Sequence, residues 1–139
     1  MMKFLVVDDN KETLLLLDKI LSKHGTCVTA ETGADAIREF ESAHSMNEPF
    51  HLIFLDIMMP GMDGNEVLKS IRLLERGKYA EKVKAKIAML TALGSPKSRF
   101  ASYEEGCEYY LVKPIIKAEI FDIIEKTKEW FDLFPINPS

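Results

Sequence analysis

Five short apolar runs, each followed by a stretch with helical spacing, divide the chain from one end to the other. The runs are KFLVVD (3–8), CVTAE (27–31), FHLIFLD (50–56), AKIAMLT (85–91) and EYYLVKP (108–114). Most of them are apolar on both faces, so each demands cover on both sides. Parallel strands enclosed between layers of helices meet that demand, whereas antiparallel strands with one wet face alternate apolar and polar residues. The intervening stretches place apolar residues at helical spacing: Leu14, Leu17, Ile20 and Leu21; Ala36, Ile37, Phe40 and Ala43; Val67, Leu68, Ile71 and Leu74; Ile120, Ile123, Ile124, Thr127 and Phe131. A weaker helix is expected in SPKSRFASYEEG, starting after Pro96, and Gly25 is expected to stop the first helix. Strand–helix alternation of this kind predicts an α/β fold, a doubly wound parallel sheet with helices on both faces.

A chain of 139 residues can bury one hydrophobic core without disulfides or a structural metal. No interdomain linker or internal repeat interrupts it. The longest polar connection is ERGKYAEKVKAK (75–86), and the tail FPINPS is expected to fray or dock loosely. A net charge of −4 argues against a free-standing nucleic-acid binder, and Arg76, Lys78, Lys82, Lys84 and Lys86 read as a solvated connection. Cys27 and Cys107 are far apart and form no CxxC pair, which fits a reduced, cytoplasmic setting. The amino-terminal apolar run is too short for a signal peptide, and no stretch approaches the roughly 20 residues needed to span a membrane. His24, His44 and His51 share no ligand spacing and read as structural or solvated, and Trp130, Phe131 and Phe134 as core and tail packing.

The runs end in polar residues. The first ends in Asp8 and Asp9, the third in Asp56, the fourth in Thr91 and the fifth in Lys113. In an open α/β sheet ligands bind beyond the carboxyl ends of the strands, so these side chains converge on one rim. Two unit charges about 4 Å apart repel by roughly 4 kcal/mol at an effective dielectric of about 20, so three carboxylates need compensation. Lys113 supplies one positive charge. A divalent cation is expected to supply the rest, and an all-oxygen donor set without His or Cys suits Mg²⁺ rather than zinc. Such a site suits phosphoryl transfer, with a carboxylate as nucleophile and the Thr91 hydroxyl as donor to a phosphoryl oxygen. Pro60, Gly61 and Gly64 in MMPGMDG provide the sharp turn after Asp56.

The ordered set VVDDN, LDIMMPGMDG, MLTA and YYLVKP, spread over Lys3 to about Phe131, resembles the response-regulator receiver domains of two-component signalling, the CheY-like family. The resemblance implies a flavodoxin-like fold, five helices around a five-stranded sheet of order 2-1-3-4-5. It implies Asp56 as phosphoacceptor, Asp9 as direct Mg²⁺ ligand, Asp8 acting largely through water, and the Met58 backbone carbonyl as a further ligand. It implies that Thr91 and Lys113 bind phosphoryl oxygens, that the Lys113–Pro114 bond is cis, and that Tyr110 is an aromatic switch that turns inward on activation. Met58 and Leu93 occupy positions that in relatives influence the lifetime of the acyl phosphate; both are apolar here, so slow dephosphorylation is expected.

The resulting expectation is a stand-alone receiver over 1–133 with a tail at 134–139. It takes its phosphoryl group from a histidine kinase or phosphotransfer protein and signals to a downstream effector protein, without direct nucleic-acid or membrane contact. Its expected chemistry is limited to self-phosphorylation and autodephosphorylation. Two alternatives stand beside it. A phosphatase of the haloacid-dehalogenase type carries Asp-x-Asp after its first strand, which Asp8-Asp9-Asn10 and Asp56-Ile57-Met58 both lack. A receiver-like interaction module would work without phosphorylation.

Overall fold

The computed structural model describes residues 1–134. Five strands and five helices alternate: β1 (Met2–Val7), α1 (Lys11–Leu21), β2 (Gly25–Ala30), α2 (Gly33–Ser45), β3 (Leu52–Asp56), α3 (Gly64–Arg76), β4 (Lys86–Thr91), α4 (Pro96–Glu104), β5 (Tyr109–Val112) and α5 (Lys117–Leu133). All strand pairs are parallel and the order is β2-β1-β3-β4-β5, as the family resemblance implies. The expected tail conformation at 135–139 lies outside the described residues.

Side chains alternate across a strand, and here the alternation splits the core in two. Leu5, Val7, Ile53, Leu55, Ile87 and Met89 face one side, where they pack on Phe40, Val67 and Leu68 from α2 and α3. Phe4, Val6, Leu52, Phe54, Ala88 and Leu90 face the other, against Leu14, Leu17, Leu21, Ile120 and Ile124 from α1 and α5. Each fully buried large side chain contributes about 1.5–3 kcal/mol, which is why both faces of the central strands read as unbroken apolar runs.

Each strand end flows into a helix start. Asn10 Oδ1 accepts from the N–H groups of Glu12 (2.9 Å) and Thr13 (3.1 Å), and Thr32, Asp63 and Ser95 cap α2, α3 and α4 in the same way. Of the boundaries that differ from the sequence expectation, three have a clear local cause. Helix α1 ends at Leu21, with the Ser22 N–H bonded to Asp18 O, so Gly25 does not stop it. Gly25 instead opens β2, two residues before the expected run, where a Cβ would collide with the Met2 carbonyl. Pro96 is the first residue of α4 rather than its preface, because Pro suits a position whose N–H has no helical partner.

The connection between α3 and β4 is held at two points. Tyr79 stacks on His44 at 4.0 Å, meets the Phe40 edge at 5.9 Å, and donates its hydroxyl to Glu41 Oε1 at 3.0 Å. Arg72 is buried and ties α3 to the connections before β4 and before β5. It bonds Glu75 (2.6 Å), Glu108 (2.8 Å) and the carbonyls of Ala85 (2.8 Å) and Gly106 (3.0 and 2.8 Å). Glu75 and Glu108 in turn accept from the N–H groups of Ala85 (2.8 Å) and Ile87 (2.9 Å). Burial pushes the Glu108 carboxyl above its usual range against the pull of Arg72. The nearby basic residues are therefore not all merely solvated: Lys78 pairs with Glu41, Lys84 donates to Glu75 O, and Lys86 sits 3.6 Å from the Trp130 ring centroid.

Of the three histidines, which were expected to be structural or solvated, His24 is exposed, while His44 stacks on Tyr79 and His51 is built into the fold. His51 Nδ1 accepts the Lys3 N–H at 2.9 Å, and burial pushes its pKa down to about 4. Among the described residues, no helix is long and apolar enough to cross a membrane.

A candidate acidic site at the carboxyl rim of the sheet

The sheet order puts β1 beside β3, β3 beside β4, and β4 beside β5, so the polar residues that end these strands become neighbours. Asp8 follows β1 and is fully buried; its N–H donates to Ala30 O (3.1 Å), which fixes it to β2. Its Oδ1 accepts the Asn10 N–H (2.9 Å) and its Oδ2 lies 2.8 Å from Lys113 Nζ. Asp9 is exposed beside it. Asp56, the last residue of β3, is 4% exposed. Lys113 Nζ stands 3.6 Å from Asp56 Oδ1, and the Met58 N–H donates weakly to the same oxygen at 3.3 Å. One carboxylate oxygen from each of Asp8, Asp9 and Asp56 lies within 4.8 Å of the other two.

The loop after Asp56 is shaped by glycine. Gly61 has φ +75°, a conformation other residues adopt only at a cost. A Cβ on Gly64 would collide with the Asp56 backbone carbonyl, so only glycine lets α3 begin against the end of β3. The Gly64 N–H closes the loop on Ile57 O at 3.0 Å, and the Ile57 N–H bonds Leu90 O at 2.9 Å.

Electrostatics follow from this crowding. Burial pushes the Asp56 pKa up to about 7, the Asp8 carboxylate adds to the rise, and Lys113 opposes it. Burial works against the charge on Lys113, yet its hydrogen bond to Asp8 and the two carboxylates prevail and hold its pKa above the usual lysine value. One positive charge serves more than one buried acid. The cluster is all oxygen and contains only aspartates, a donor set that suits a hard cation such as Mg²⁺.

Thr91 ends β4 and is buried; its hydroxyl accepts the Leu93 N–H at 3.1 Å. The Lys113 N–H donates to Thr91 O at 2.7 Å, so the two share a backbone link. The Lys113–Pro114 bond is cis, as the resemblance implies. Tyr110 is buried, its hydroxyl 2.9 Å from Ser98 Oγ on α4 and its ring 5.1 Å from the Arg99 guanidinium. Met58 and Leu93 are exposed at the mouth. Asp8, Asp9, Asp56, Thr91 and Lys113 therefore lie at the rim, and Tyr110 lies three residues before Lys113, on β5. The sequence reading gave no role to Asn10, whose N–H holds Asp8, or to Ser98, whose hydroxyl meets Tyr110. The Asp-x-Asn spacing is a signal for the first. Nothing local signals the second, since Ser98 and Tyr110 meet only through the fold.

A family model described as response regulator receiver domain matches residues 4–125. The transcriptional regulatory protein ResD of Bacillus subtilis is 38% identical over 119 residues, 85% of this chain and 44% of that protein. The hybrid signal transduction histidine kinase L of Dictyostelium discoideum is 37% identical over 125 residues, 89% of this chain and 7% of that protein. The chain thus spans less than half the length of these curated relatives. Among solved structures, the Vibrio cholerae chemotaxis protein CheY4 superposes with a TM-score of 0.78 at 26% identity, covering 91% of this chain and 98% of that one. The response regulator protein TrrA from Thermotoga maritima, in complex with Mg(2+)-BeF, superposes with a TM-score of 0.72 at 33% identity, covering 91% and 99%. The family match runs from β1 into α5, across every strand that delivers a side chain to the rim, and the chain belongs to the response-regulator receiver domains of two-component signalling.

Proposed function

We propose that Asp56 is the phosphoacceptor and that the chain relays a signal by the charge it gains there. The observation that carries this reading is the burial of Asp56 within reach of both an ammonium and two further carboxylates. An Asp56 oxygen forms the new P–O bond as the P–N bond to the imidazole of a histidine kinase or phosphotransfer protein breaks, the imidazole leaving with the bonding pair. Lys113 meets a transferred oxygen, and the Thr91 hydroxyl donates to another once its proton leaves the Leu93 carbonyl oxygen. Asp8, Asp9, Asp56 and the Met58 carbonyl would hold Mg²⁺, Asp8 largely through water. When bound, the ion neutralises charge on the transferred oxygens.

The receiver unit spans 1–133 and works in the cytoplasm. Its phosphorylated form biases a surface built by α4, β5 and α5, where Phe100, Tyr103 and Phe121 are exposed, towards a downstream effector protein. It acts through protein contacts alone, touching neither nucleic acid nor membrane. Its own chemistry is self-phosphorylation from small donors and slow hydrolysis of the acyl phosphate. Family membership and the missing Asp-x-Asp pattern set a phosphatase aside.

The test is incubation with Mg²⁺ and acetyl phosphate followed by intact mass. One phosphoryl adduct is expected on the wild type and none on Asp56→Asn. An adduct that persists in Asp56→Asn, or a wild type that takes none, refutes the reading.

A further inference from the structure

Helix α4 is held on the sheet in an uncommon way. Its sequence PKSRFASYE buries only Ser102, while Phe100 and Tyr103 are 67% and 45% exposed. Apolar burial therefore contributes little to its attachment. Polar contacts take its place. Asn65, Lys69 and Arg72 lie on one stripe of α3, at i, i+4 and i+7. Asn65 Oδ1 accepts the Ser102 hydroxyl at 3.0 Å, Lys69 Nζ lies 3.4 Å from Glu105 Oε1, and Arg72 donates to Gly106 O. The three contacts form a polar seam that descends from the acidic rim towards the opposite end of the sheet.

Only the uppermost contact adjoins the site. Asn65 directly follows Gly64, which packs on the Asp56 carbonyl and closes the loop after β3. Ser102 is fully buried, so its hydroxyl has no water to fall back on if Asn65 moves away. A shift of the loop at Asp56 is passed through Gly64 to Asn65, and α4 must then follow or release a buried hydroxyl. A helix with so little apolar anchorage is the element free to do either.

We propose that the Asn65–Ser102 hydrogen bond couples the state of the Asp56 loop to α4, as a positioning pair that acts separately from Thr91 and Tyr110. This rests on the reading of Asp56 as phosphoacceptor.

The experiment is hydrogen exchange of the α4 segment with and without Mg²⁺ and beryllofluoride. It compares the wild type with Asn65→Ala, Ser102→Ala, the double variant, and Asn65→Asp, which keeps an acceptor for the hydroxyl. Loss of one net hydrogen bond is expected to speed α4 exchange about fivefold in either single variant without ligand. Each is also expected to lose at least half of the change that beryllofluoride produces in the wild type. The double variant should lose no more than the singles, because one interaction can be lost only once and no buried hydroxyl is left without a partner, and Asn65→Asp should retain the wild-type response. A full response in both alanine variants, or additive losses in the double, overturns the proposal. Beryllofluoride bound to the wild type with α4 exchange unchanged overturns it alone. Failure of beryllofluoride to bind the wild type overturns the phosphoacceptor reading and takes this coupling with it.

Discussion

Replacing Asp56 with asparagine should stabilise the metal-free protein at neutral and alkaline pH. The carboxyl is nearly sealed from water beside Asp8, and its pKa rises from 3.8 to about 7 on folding. The raised value sets the sign. Between pH 3.8 and about 7 the folded state binds a proton that the unfolded state has released, so stability falls as pH rises through that window. Above it the folded chain bears the full penalty of an ionised, crowded carboxylate. At 1.36 kcal/mol per pH unit the penalty is up to about 4 kcal/mol, the attraction to Lys113 being already counted in the raised value. The neutral amide of Asp56→Asn avoids it. Thermal unfolding in a chelator from pH 4 to 8.5 should show the two proteins alike at the acid end. They should diverge by roughly 5–12 °C at pH 8, with the variant melting higher. Saturating Mg²⁺ should then raise the wild type by up to about 2.7 kcal/mol at a hundredfold excess over its dissociation constant and leave the variant nearly unmoved. Parallel melting curves across the pH range, or a variant less stable at pH 8, would refute the assignment of this penalty to Asp56.

Arg72→Met should cost about 3–5 kcal/mol in denaturant unfolding, because it strands buried Glu75 and half-buried Glu108 without their cation. A loss under 1 kcal/mol would mean that the carboxylates find other partners. Tyr79→Ala should cost about 1–2 kcal/mol and raise exchange around residues 77–82, with no change in the affinity for beryllofluoride. Exposed Met58 and Leu93 offer no polar group to orient an attacking water, so Met58→Asn should shorten the acyl-phosphate half-life in a radiolabel chase; an unchanged or longer half-life would count against that account.

The strand pattern was legible because burial on both faces leaves an unmistakable run, as in LIFLD, and the site was legible because parallel topology gathers strand ends at one rim. Asp8, Asp56, Thr91 and Lys113 could be named before any coordinate for that reason. What the sequence concealed depends on contacts between distant segments. Arg72 and Glu75 look like an ordinary exposed helical pair, i and i+3, and only the packing of β4 and β5 against α3 buries them. Tyr79 reads as one residue in a charged connection until α2 supplies a stacking partner. Gly25 misleads because the same residue type serves a helix end and a close backbone approach, and the Met2 carbonyl decides between them.

The guanidinium of Arg72 grips Gly106 O with two donors at the turn where α4 gives way to β5. That grip pins the turn just after α4, whereas the Pro96 end is held by Ser98 and Arg99 against Tyr110, so a helix that lets go of Tyr110 pivots about Gly106. Whatever displaces the helix swings it rather than slides it, and Ser98, near the Pro96 end, sweeps a wider arc than Ser102.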